Sequence, residues 1–188
     1  MSQQYEEISK KFKEWHSIWD EIESRRALWT NNTRQVVIDS LHGVRDNVFI
    51  ATIQGEEKKV NWHVYTADGG IEHSESIILS FGVRPSGFKK VTTETIESIS
   101  KEGGSLVFAQ SYNGRVLVII TYPRINGLVL EREPFSVGSY EPSIISDDFI
   151  LAKVSHFVDE IIKWERGEAD MNKIGFAMNS KNSTLKEI

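Results

Sequence analysis

The sequence predicts an α+β fold: a mostly antiparallel sheet of about six or seven strands, packed by long helices from both ends of the chain and by a short middle helix. Near both ends, apolar residues recur at steps of three and four, as they do on one side of an amphipathic helix. Between these segments lie β-branched runs and glycine-containing turn signals, which are typical of strands and hairpins. The length of 188 residues suits a single domain, which we place at residues 1–167.

The first predicted element is a helix over residues 1–29. Its stripe, read as the a and d positions of heptads, consists of Tyr5, Ile8, Phe12, Trp15, Trp19, Ile22, Arg26 and Trp29. Large aromatic side chains fit poorly between two parallel helices, so we expect the stripe to pack on the sheet or on one other helix. Asn31 and Asn32 are expected to end the helix.

The sheet region is placed at residues 33–131. Its first two strands are expected at 36–38 and 48–53, because β-branched residues cluster in both segments. A turn-prone stretch that contains Gly43 separates these two segments.

An alternating pattern predicts the next hairpin. Trp62 and Val64 alternate with polar residues, as in a half-buried strand. Asp68-Gly69-Gly70 is a hairpin turn signal, and the next strand carries its apolar residues in one phase: Ile71, Ile77, Leu79 and Phe81. Pairing across this turn places Trp62 and Val64 on the same face as that phase, which is therefore predicted to be buried.

A short middle helix is predicted at residues 93–101. It follows a predicted loop at 82–90, and Gly103-Gly104 would close it, because a glycine with positive φ commonly ends a helix. This helix would pack on the sheet together with the two terminal helices.

The clearest hairpin signal is Asn113-Gly114, which lies between the apolar segments 106–112 and 115–122. A two-residue turn there pairs Tyr112 with Arg115, Gln110 with Leu117, and Phe108 with Ile119. One face would then hold Leu106, Phe108, Leu117 and Ile119, and the other Val107, Ala109, Val118 and Ile120. Because both faces are apolar, we expect this hairpin to be central and covered on both sides. A last strand is expected at 127–131.

The last predicted element is a helix over residues 146–166. Ser146 is a good N-cap residue, and the acidic residues after it complement the helix dipole. Gly167 is expected to end the helix. The apolar stripe consists of Ile150, Val154, Phe157, Ile161 and Trp164. The polar segment 168–188 is interpreted as a flexible tail or a docking segment.

Composition excludes several classes of function. The net charge of −5 provides no overall attraction for nucleic acid or for an anionic membrane, so we expect neither as a partner. The absence of cysteine excludes disulfides, thiolate metal sites and cysteine nucleophiles, and it suits the reducing cytoplasm, where we expect the protein. No apolar run approaches the roughly 20 residues of a membrane-spanning helix.

The segment 82–90 is the main candidate for ligand binding. Its two glycines are five residues apart, between a predicted strand and a predicted helix, as in a phosphate-binding loop. It departs from that motif, because Phe88 and Lys89 stand where a lysine and a magnesium-binding hydroxyl are needed. Contact with a small anion at a helix N-terminus is the hypothesis, and an ordinary solvated connection is the alternative. The candidate residues are Arg84, Ser86, Gly87, Lys89 and Lys90.

Two weaker hypotheses concern catalysis. His73 and Glu75 share a phase of their predicted strand and could act as acid and base, unless both are solvated at a hairpin tip. The segment 56–59 contains the E-x-K string of some metal-dependent nucleases. We interpret the segment as a charged turn between two strands. None of the five histidines shows metal-ligand spacing, so neither a metal nor a cofactor is expected.

These patterns favour a non-catalytic intracellular binding or regulatory protein that acts through protein–protein contacts. Tryptophan is frequent at interface hot spots, and the candidate interface residues are Trp15, Trp19, Ile22 and Trp29. The partner would be another protein or a second copy of the chain, forming a homodimer; packing within the monomer is the competing interpretation. The alternative function is a sensor or processor of a small anionic ligand, such as a nucleotide or phosphate, through residues 82–90.

Overall fold

The computed structural model describes residues 3–48, 50–53, 56–59, 62–68, 75–91, 95–125 and 132–167. It has a long N-terminal helix, a six-stranded antiparallel sheet and a C-terminal helix, which confirms the predicted α+β class. The elements in chain order are helix α1 (Gln3–Leu28), a π-helical turn (Trp29–Thr33), helix α2 (Arg34–Asn47), strands β1 (Ile50–Ile53), β2 (Glu56–Lys59), β3 (His63–Ala67), β4 (Ser76–Ser80), β5 (Arg84–Val91), β6 (Ile96–Gln110), β7 (Val116–Ile125) and β8 (Phe135–Tyr140), a 3₁₀ turn (Pro142–Ile144) and helix α3 (Asp147–Glu165).

The main sheet has the strand order β3-β4-β6-β7-β8, and all of its paired strands are antiparallel. The longest strand, β6, has two neighbours along one edge: β5 pairs with residues 96–101 and β4 with residues 105–109. The strands β1 and β2 form a separate antiparallel hairpin.

The core lies between one face of the main sheet and the helices α2 and α3. The fully buried apolar side chains include Val37, Leu41, Ile77, Leu79, Leu106, Phe108, Val116, Val118, Ile120, Ile150 and Phe157. The opposite face of the sheet is less covered, since its central residues Val107, Ala109, Leu117 and Ile119 are only half-buried. The β6–β7 hairpin is central, as predicted, but only one of its two faces is fully covered.

The β6–β7 hairpin lies at the predicted position, but its register differs by one residue. The observed pairs include Gln110 with Val116 and Phe108 with Val118. The backbone N–H of Ser111 donates to the carbonyl oxygen of Arg115 at 2.8 Å, so the loop consists of residues 112–114. Gly114 has a φ of 76°, and a left-handed glycine commonly closes such a three-residue loop. The one-residue shift turns the other set of β7 side chains into the core.

The N-terminal helical segment is much longer than predicted. It continues through the π turn into α2, so the strand expected at 36–38 is wrong, and Asn31 and Asn32 do not end the helix. Buried residues recur here at every fourth position: Trp29, Thr33, Val37 and Leu41. Each step of four overshoots a regular α-helical turn by about 40°. The wider π turn reduces this drift over the step from Trp29 to Thr33, so that the three following buried side chains stay nearer to the core side.

The predicted middle helix is wrong. Residues 96–101 belong to strand β6, and residues 84–91, most of which were expected in a loop, form strand β5. The segment 93–99 is rich in threonine and isoleucine, whose β-branched side chains favour strands over helices. Gly103 and Gly104 do have positive φ values, 80° and 84°, but they lie within β6. At Gly104 a Cβ atom would lie 2.6 Å from the ring of Phe81, so only glycine fits there.

The β3–β4 pair confirms the predicted buried face, because Val64 lies opposite Leu79, which is fully buried. A turn at Asp68-Gly69-Gly70 would pair Val64 with His73 or Glu75, so the observed pairing with Leu79 differs from the predicted register by an even number of residues and keeps the same face. The strand expected at 48–53 begins at Ile50. Residues 56–59, interpreted as a turn, form strand β2.

Helix α3 lies where the C-terminal helix was predicted. The Oγ atom of Ser146 accepts a hydrogen bond from the backbone N–H of Phe149 at 3.3 Å, which is an N-cap contact. Gly167 follows the helix with a φ of 68°. The expected strand at 127–131 and the expected tail at 168–188 lie outside the described residues, whereas β8 was not predicted.

Candidate functional site

The first part of α1 forms an exposed arm, which we define as residues 3–21. Every residue of the arm is exposed to solvent, so the expectation that this helix lies on the sheet along its length is wrong. The reason is that the helical segment continues to Asn47, and it is α2 that supplies the buried side chains over the sheet. The large apolar side chains of the arm form what we call the aromatic stripe: Tyr5, Ile8, Phe12, Trp15, Ile18 and Trp19.

The aromatic rings of the stripe contact one another along the helix. The ring centroids of Phe12 and Trp15 are 5.6 Å apart, and those of Trp15 and Trp19 are 6.2 Å apart in a T-shaped arrangement. Trp15 is 52% exposed and Trp19 is 51% exposed. Charged residues of both signs cover the rest of the arm, and Lys11 forms an ion pair with Glu7 at 2.8 Å. The arm therefore presents one apolar side and a mixed-charge remainder.

The base of the arm is attached to the sheet by the loop of the β6–β7 hairpin. The guanidinium group of Arg26 donates a hydrogen bond to the carbonyl oxygen of Tyr112 at 3.0 Å. Arg25 forms an ion pair with Glu141 at 2.7 Å, just beyond β8. At Gly114 a Cβ atom would lie 2.8 Å from the Cβ of Arg25, so the helix and the loop are in close contact. These contacts set the direction in which α1 leaves the sheet.

The four predicted interface residues are divided between the arm and the core. Trp15 and Trp19 lie on the exposed stripe, and Ile22 is half-buried at the base of the arm. Trp29 is only 2% exposed and belongs to the hydrophobic core. Ile18, which was not among the predicted interface residues, also belongs to the stripe; its position beside the a and d positions is the signal that could have identified it.

The five predicted ligand-binding residues lie on strand β5 instead of a loop before a helix. Lys89 and Lys90 are exposed and pair along the backbone with Ser98 and Glu97 of β6. The hydroxyl of Ser86 donates to the carbonyl oxygen of Ile99 at 2.5 Å, and Gly87 has a φ of 84° at an irregularity of the strand. Exposed lysines on a strand at a sheet edge also discourage pairing with other chains.

Arg84 lies apart from the other four, at a cleft of about 240 Å³ beside the end of α3. The apolar lining includes Phe81, Pro123, Ile161 and Ile162, and the charged lining is Arg84, Lys101, Glu165 and Arg166. Lys101 forms an ion pair with Glu165 at 2.5 Å, and the Cζ atom of Arg84 lies 5.3 Å from the ring centroid of Phe81. Sequence reasoning missed Lys101, which the pairing of β5 with β6 places opposite Arg84, and Arg166, which the packing of α3 on the sheet brings to the same cleft.

The carboxylate of Glu75 is held by helix α2. Arg34 donates two hydrogen bonds to it, at 2.6 and 2.7 Å, and this pairing raises the pKa of Arg34. A carboxylate occupied in this way by a guanidinium group connects two elements of the fold. His73 lies outside the described residues, so its pairing with Glu75 stays a prediction. In the described part of the chain, no three histidine or acidic side chains converge in a way that could hold a metal ion.

A buried carboxylate also connects α3 to strand β7. Glu160 accepts hydrogen bonds from the hydroxyl of Tyr122 at 2.8 Å and from Lys163 at 2.9 Å, and Arg132 lies 3.8 Å away. The hydrogen bond from Lys163, with that from Tyr122 and the two nearby positive charges, lowers the pKa of Glu160. Because the ionised carboxylate is fully engaged by its neighbours, the cluster stabilises the fold and offers no free base.

Comparison with known proteins provides no functional assignment. No protein-family model matches this chain, and no curated protein or solved structure is significantly similar to it. Among the helices that the structure describes, none is both long and apolar enough to cross a membrane. The arm and the cleft are therefore the candidate functional surfaces of the described chain.

Proposed function

We propose that this protein is a non-catalytic interaction protein that binds another polypeptide through the aromatic stripe of its arm. The observation that supports the proposal is the exposure of six large apolar side chains side by side on one helix. Contiguous apolar surface of this kind commonly marks an interaction site, and tryptophan and tyrosine are enriched among the residues that contribute most to binding. The absence of cysteine makes the cytoplasm the expected location.

The charges of the arm favour a polypeptide over a nucleic acid or a lipid surface. The arm carries three lysines and five acidic residues, so it offers no basic face for phosphate groups. The spacing of the stripe in steps of three and four is the pattern by which one helix packs against another. A helical partner is therefore the proposed binding target.

Site-specific photocrosslinking tests this proposal. Benzoylphenylalanine in place of Phe12 puts a reactive ketone on the stripe, and the same residue in place of Lys10 puts it on the opposite side of the helix. We expect covalent polypeptide adducts from the variant at Phe12 and few from the matched variant at Lys10. Equal or absent adducts from the two positions would contradict a role for the stripe.

A second candidate function, sensing or processing a small anionic ligand, is favoured by the cleft beside α3. Among the described residues that line it, the cations Arg84, Lys101 and Arg166 outnumber the acid Glu165, and most of the others are apolar. Such a combination suits a ligand with a phosphate or carboxylate group and an apolar part. The proposed ligand contacts are therefore Arg84, which was predicted, together with Lys101 and Arg166. The other predicted ligand residues, which follow Arg84 on β5, do not line the cleft.

Thermal-shift measurements with inorganic phosphate and with ATP test the second candidate. We expect a rise in the melting temperature that is lost in Arg84→Ala and kept in Lys89→Ala, because Lys89 lies away from the cleft. Ligand-induced stabilisation that is insensitive to Arg84→Ala, or no stabilisation at all, would exclude the cleft as an anion site.

A further inference from the structure

We infer that the partner of the aromatic stripe is a second copy of this chain, whose α1 helix packs against the first in the antiparallel direction. The inference rests on the proposed function and names the partner of the same surface. It is based on the order of large and small side chains along the stripe, on the apolar area that pairing would cover, and on the length of the exposed helix.

An antiparallel pair centred between Lys13 and Glu14 brings different residues into each layer. Tyr5 then faces Ile22 of the partner subunit, Ile8 faces the partner's Trp19, and Phe12 faces the partner's Trp15. Two of these layers combine an aromatic ring with an isoleucine, and cores of helical pairs pack best when side chains of different size alternate in this way. A parallel pair would place Trp15 and Trp19 against their own copies, which a two-stranded seam accommodates poorly.

The apolar area of the stripe is sufficient for a stable pair. Its four aromatic side chains have about 150–250 Å² each, and with about half of each exposed they offer roughly 400 Å² per arm. Two arms facing each other cover about twice this area, and Ile8, Ile18 and the stems of flanking residues bring the total close to the roughly 1,200 Å² of a small specific interface. In this register Ile18 lies beside the stem of the partner's Lys11.

The length of the arm also suits the antiparallel pair. The exposed residues 3–21 extend over about 28 Å at 1.5 Å per residue, and antiparallel pairing covers the stripe of both arms from end to end. The two sheets then lie at opposite ends of the helical pair, so that neither sheet needs to contact the other. Pairing by the stripe alone therefore accounts for its whole exposed length.

Mass measurement by light scattering is the first test. We expect twice the monomer mass for the natural chain and the monomer mass for the double variant Trp15→Ser, Trp19→Ser. The matched control is Lys10→Ser, Glu14→Ser, which places the same residue on other sides of the same helix and is expected to keep the dimer. A monomeric natural chain, or a dimer unaffected by loss of both tryptophans, would overturn the inference.

Distances between spin labels test the direction of the pair. Because the chain contains no cysteine, Gln3→Cys and Lys10→Cys each provide a single labelling site on the side of the helix opposite the stripe. In the antiparallel register the two labels at residue 3 are separated along the helix axis by about 32 Å, and those at residue 10 by about 11 Å. Equal distances for the two positions would indicate a parallel pair and overturn the inference.

Quenching of tryptophan fluorescence by iodide separates failure of this inference from failure of the proposed function. In a monomer whose Trp15 and Trp19 are accessible to iodide, the stripe is free for a different polypeptide, and only the second-copy inference is overturned. In a monomer in which both are shielded, the arm is covered by its own chain, and the proposed function is overturned as well.

Discussion

Single side chains decide how the helices are attached to the sheet. Glu160 of α3 is the clearest case, because its side chain is 11% exposed and its carboxylate contacts Tyr122 of β7 and the cations Lys163 and Arg132. Because folding lowers the pKa of Glu160, the ionised carboxylate is more favourable in the folded protein than in the unfolded chain, and its ionisation stabilises the fold. This contribution to stability is complete above the unfolded pKa of about 4.3 and is lost as the pH falls through the lower folded pKa.

We expect Glu160→Gln to lower the free energy of unfolding at pH 7 by about 1–3 kcal/mol, because a charge-assisted cluster loses its charge while the amide can still accept from Tyr122. The difference between the two proteins should shrink as the pH falls below about 4.3, since the natural carboxyl then becomes neutral too. Urea unfolding of both proteins between pH 7 and pH 3 measures this. A difference that stays constant over that range would contradict the assigned role of the carboxylate.

Two glycines with similar backbone conformation differ in the space around them. Gly87 and Gly114 have φ values of 84° and 76°. Around Gly87 a Cβ atom would meet nothing within 4 Å, whereas at Gly114 it would lie 2.9 Å from the carbonyl oxygen of Ile22. The loop of the β6–β7 hairpin therefore needs glycine both for its turn and for its contact with α1.

The variant Gly87→Ala is expected to cost about 1 kcal/mol, the backbone penalty of the left-handed region alone. Gly114→Ala is expected to cost about 2–4 kcal/mol, because overpacking against α1 adds to that penalty. Chemical denaturation of the two variants provides the comparison. Equal costs would show that the loop does not hold the base of the arm.

At the scale of elements, the apolar side of the N-terminal helical segment, residues 3–47, has two different environments. From Trp29 onward its side chains are buried against the sheet and α3, and from Trp19 backward they are exposed. The boundary lies at Ile22 to Arg26, where the hairpin loop contacts the helix. The π turn at Trp29–Thr33 keeps the buried part in phase with the core.

A pair of tryptophan variants on this one helical segment tests the division. Trp29→Ala is expected to lower the free energy of unfolding by about 3–5 kcal/mol, as for other large buried side chains. Trp19→Ala is expected to change it by no more than about 0.5 kcal/mol in the monomer, because an exposed side chain contributes little to folding. Unfolding is followed at a concentration low enough to keep the protein monomeric. A large cost at Trp19 would show that the arm packs on its own domain.

At the scale of the whole molecule, the structure combines a folded domain with an arm that contributes no buried residue to it. Isolated helices are only marginally stable in water, so most helices in proteins depend on packing of an apolar face. In the proposed dimer the second copy supplies this packing. Ordering of the arm then depends on protein concentration, because it requires the second copy, whereas folding of the rest of the domain does not.

Hydrogen exchange at two protein concentrations checks this dependence. We expect the backbone amides of the arm to exchange more slowly at the higher concentration, whereas the central strands β6 and β7 exchange at the same rate in both samples. In Trp15→Ser, Trp19→Ser the arm should exchange rapidly at both concentrations. Arm protection that does not respond to concentration would contradict coupling between dimerisation and ordering.

Much of the fold could be predicted because it depends on local patterns. The cap of α3 at Ser146, the buried face of β3 and β4, and the position of the β6–β7 hairpin follow from residues close together in the chain. The hairpin register could not be predicted in the same way, since Asn113-Gly114 is compatible with loops of two or three residues and one residue reverses the faces. The predicted middle helix failed because pairing with β5 and β7 outweighed the helix-ending signal of its glycines.

The candidate surfaces were predictable to different degrees. The sequence alone identified the aromatic stripe, because its spacing is a property of one helix, but it did not establish whether a sheet would cover it. The cleft beside α3 was not predicted, since Arg84, Lys101 and Arg166 are distant in sequence and the segment 82–90 showed only one of them.

By itself, the sequence determined that helices lie at both ends, that antiparallel strands lie between them, and that one helix carries an aromatic stripe, because each is encoded by periodicity and turn residues within a short segment. Only the tertiary structure decided that this stripe is exposed, which face of β7 enters the core and which cations meet at the cleft. These three features depend on contacts between segments that are distant in the chain. The free energies of such contacts outweigh local conformational preference and cannot be inferred from one segment alone.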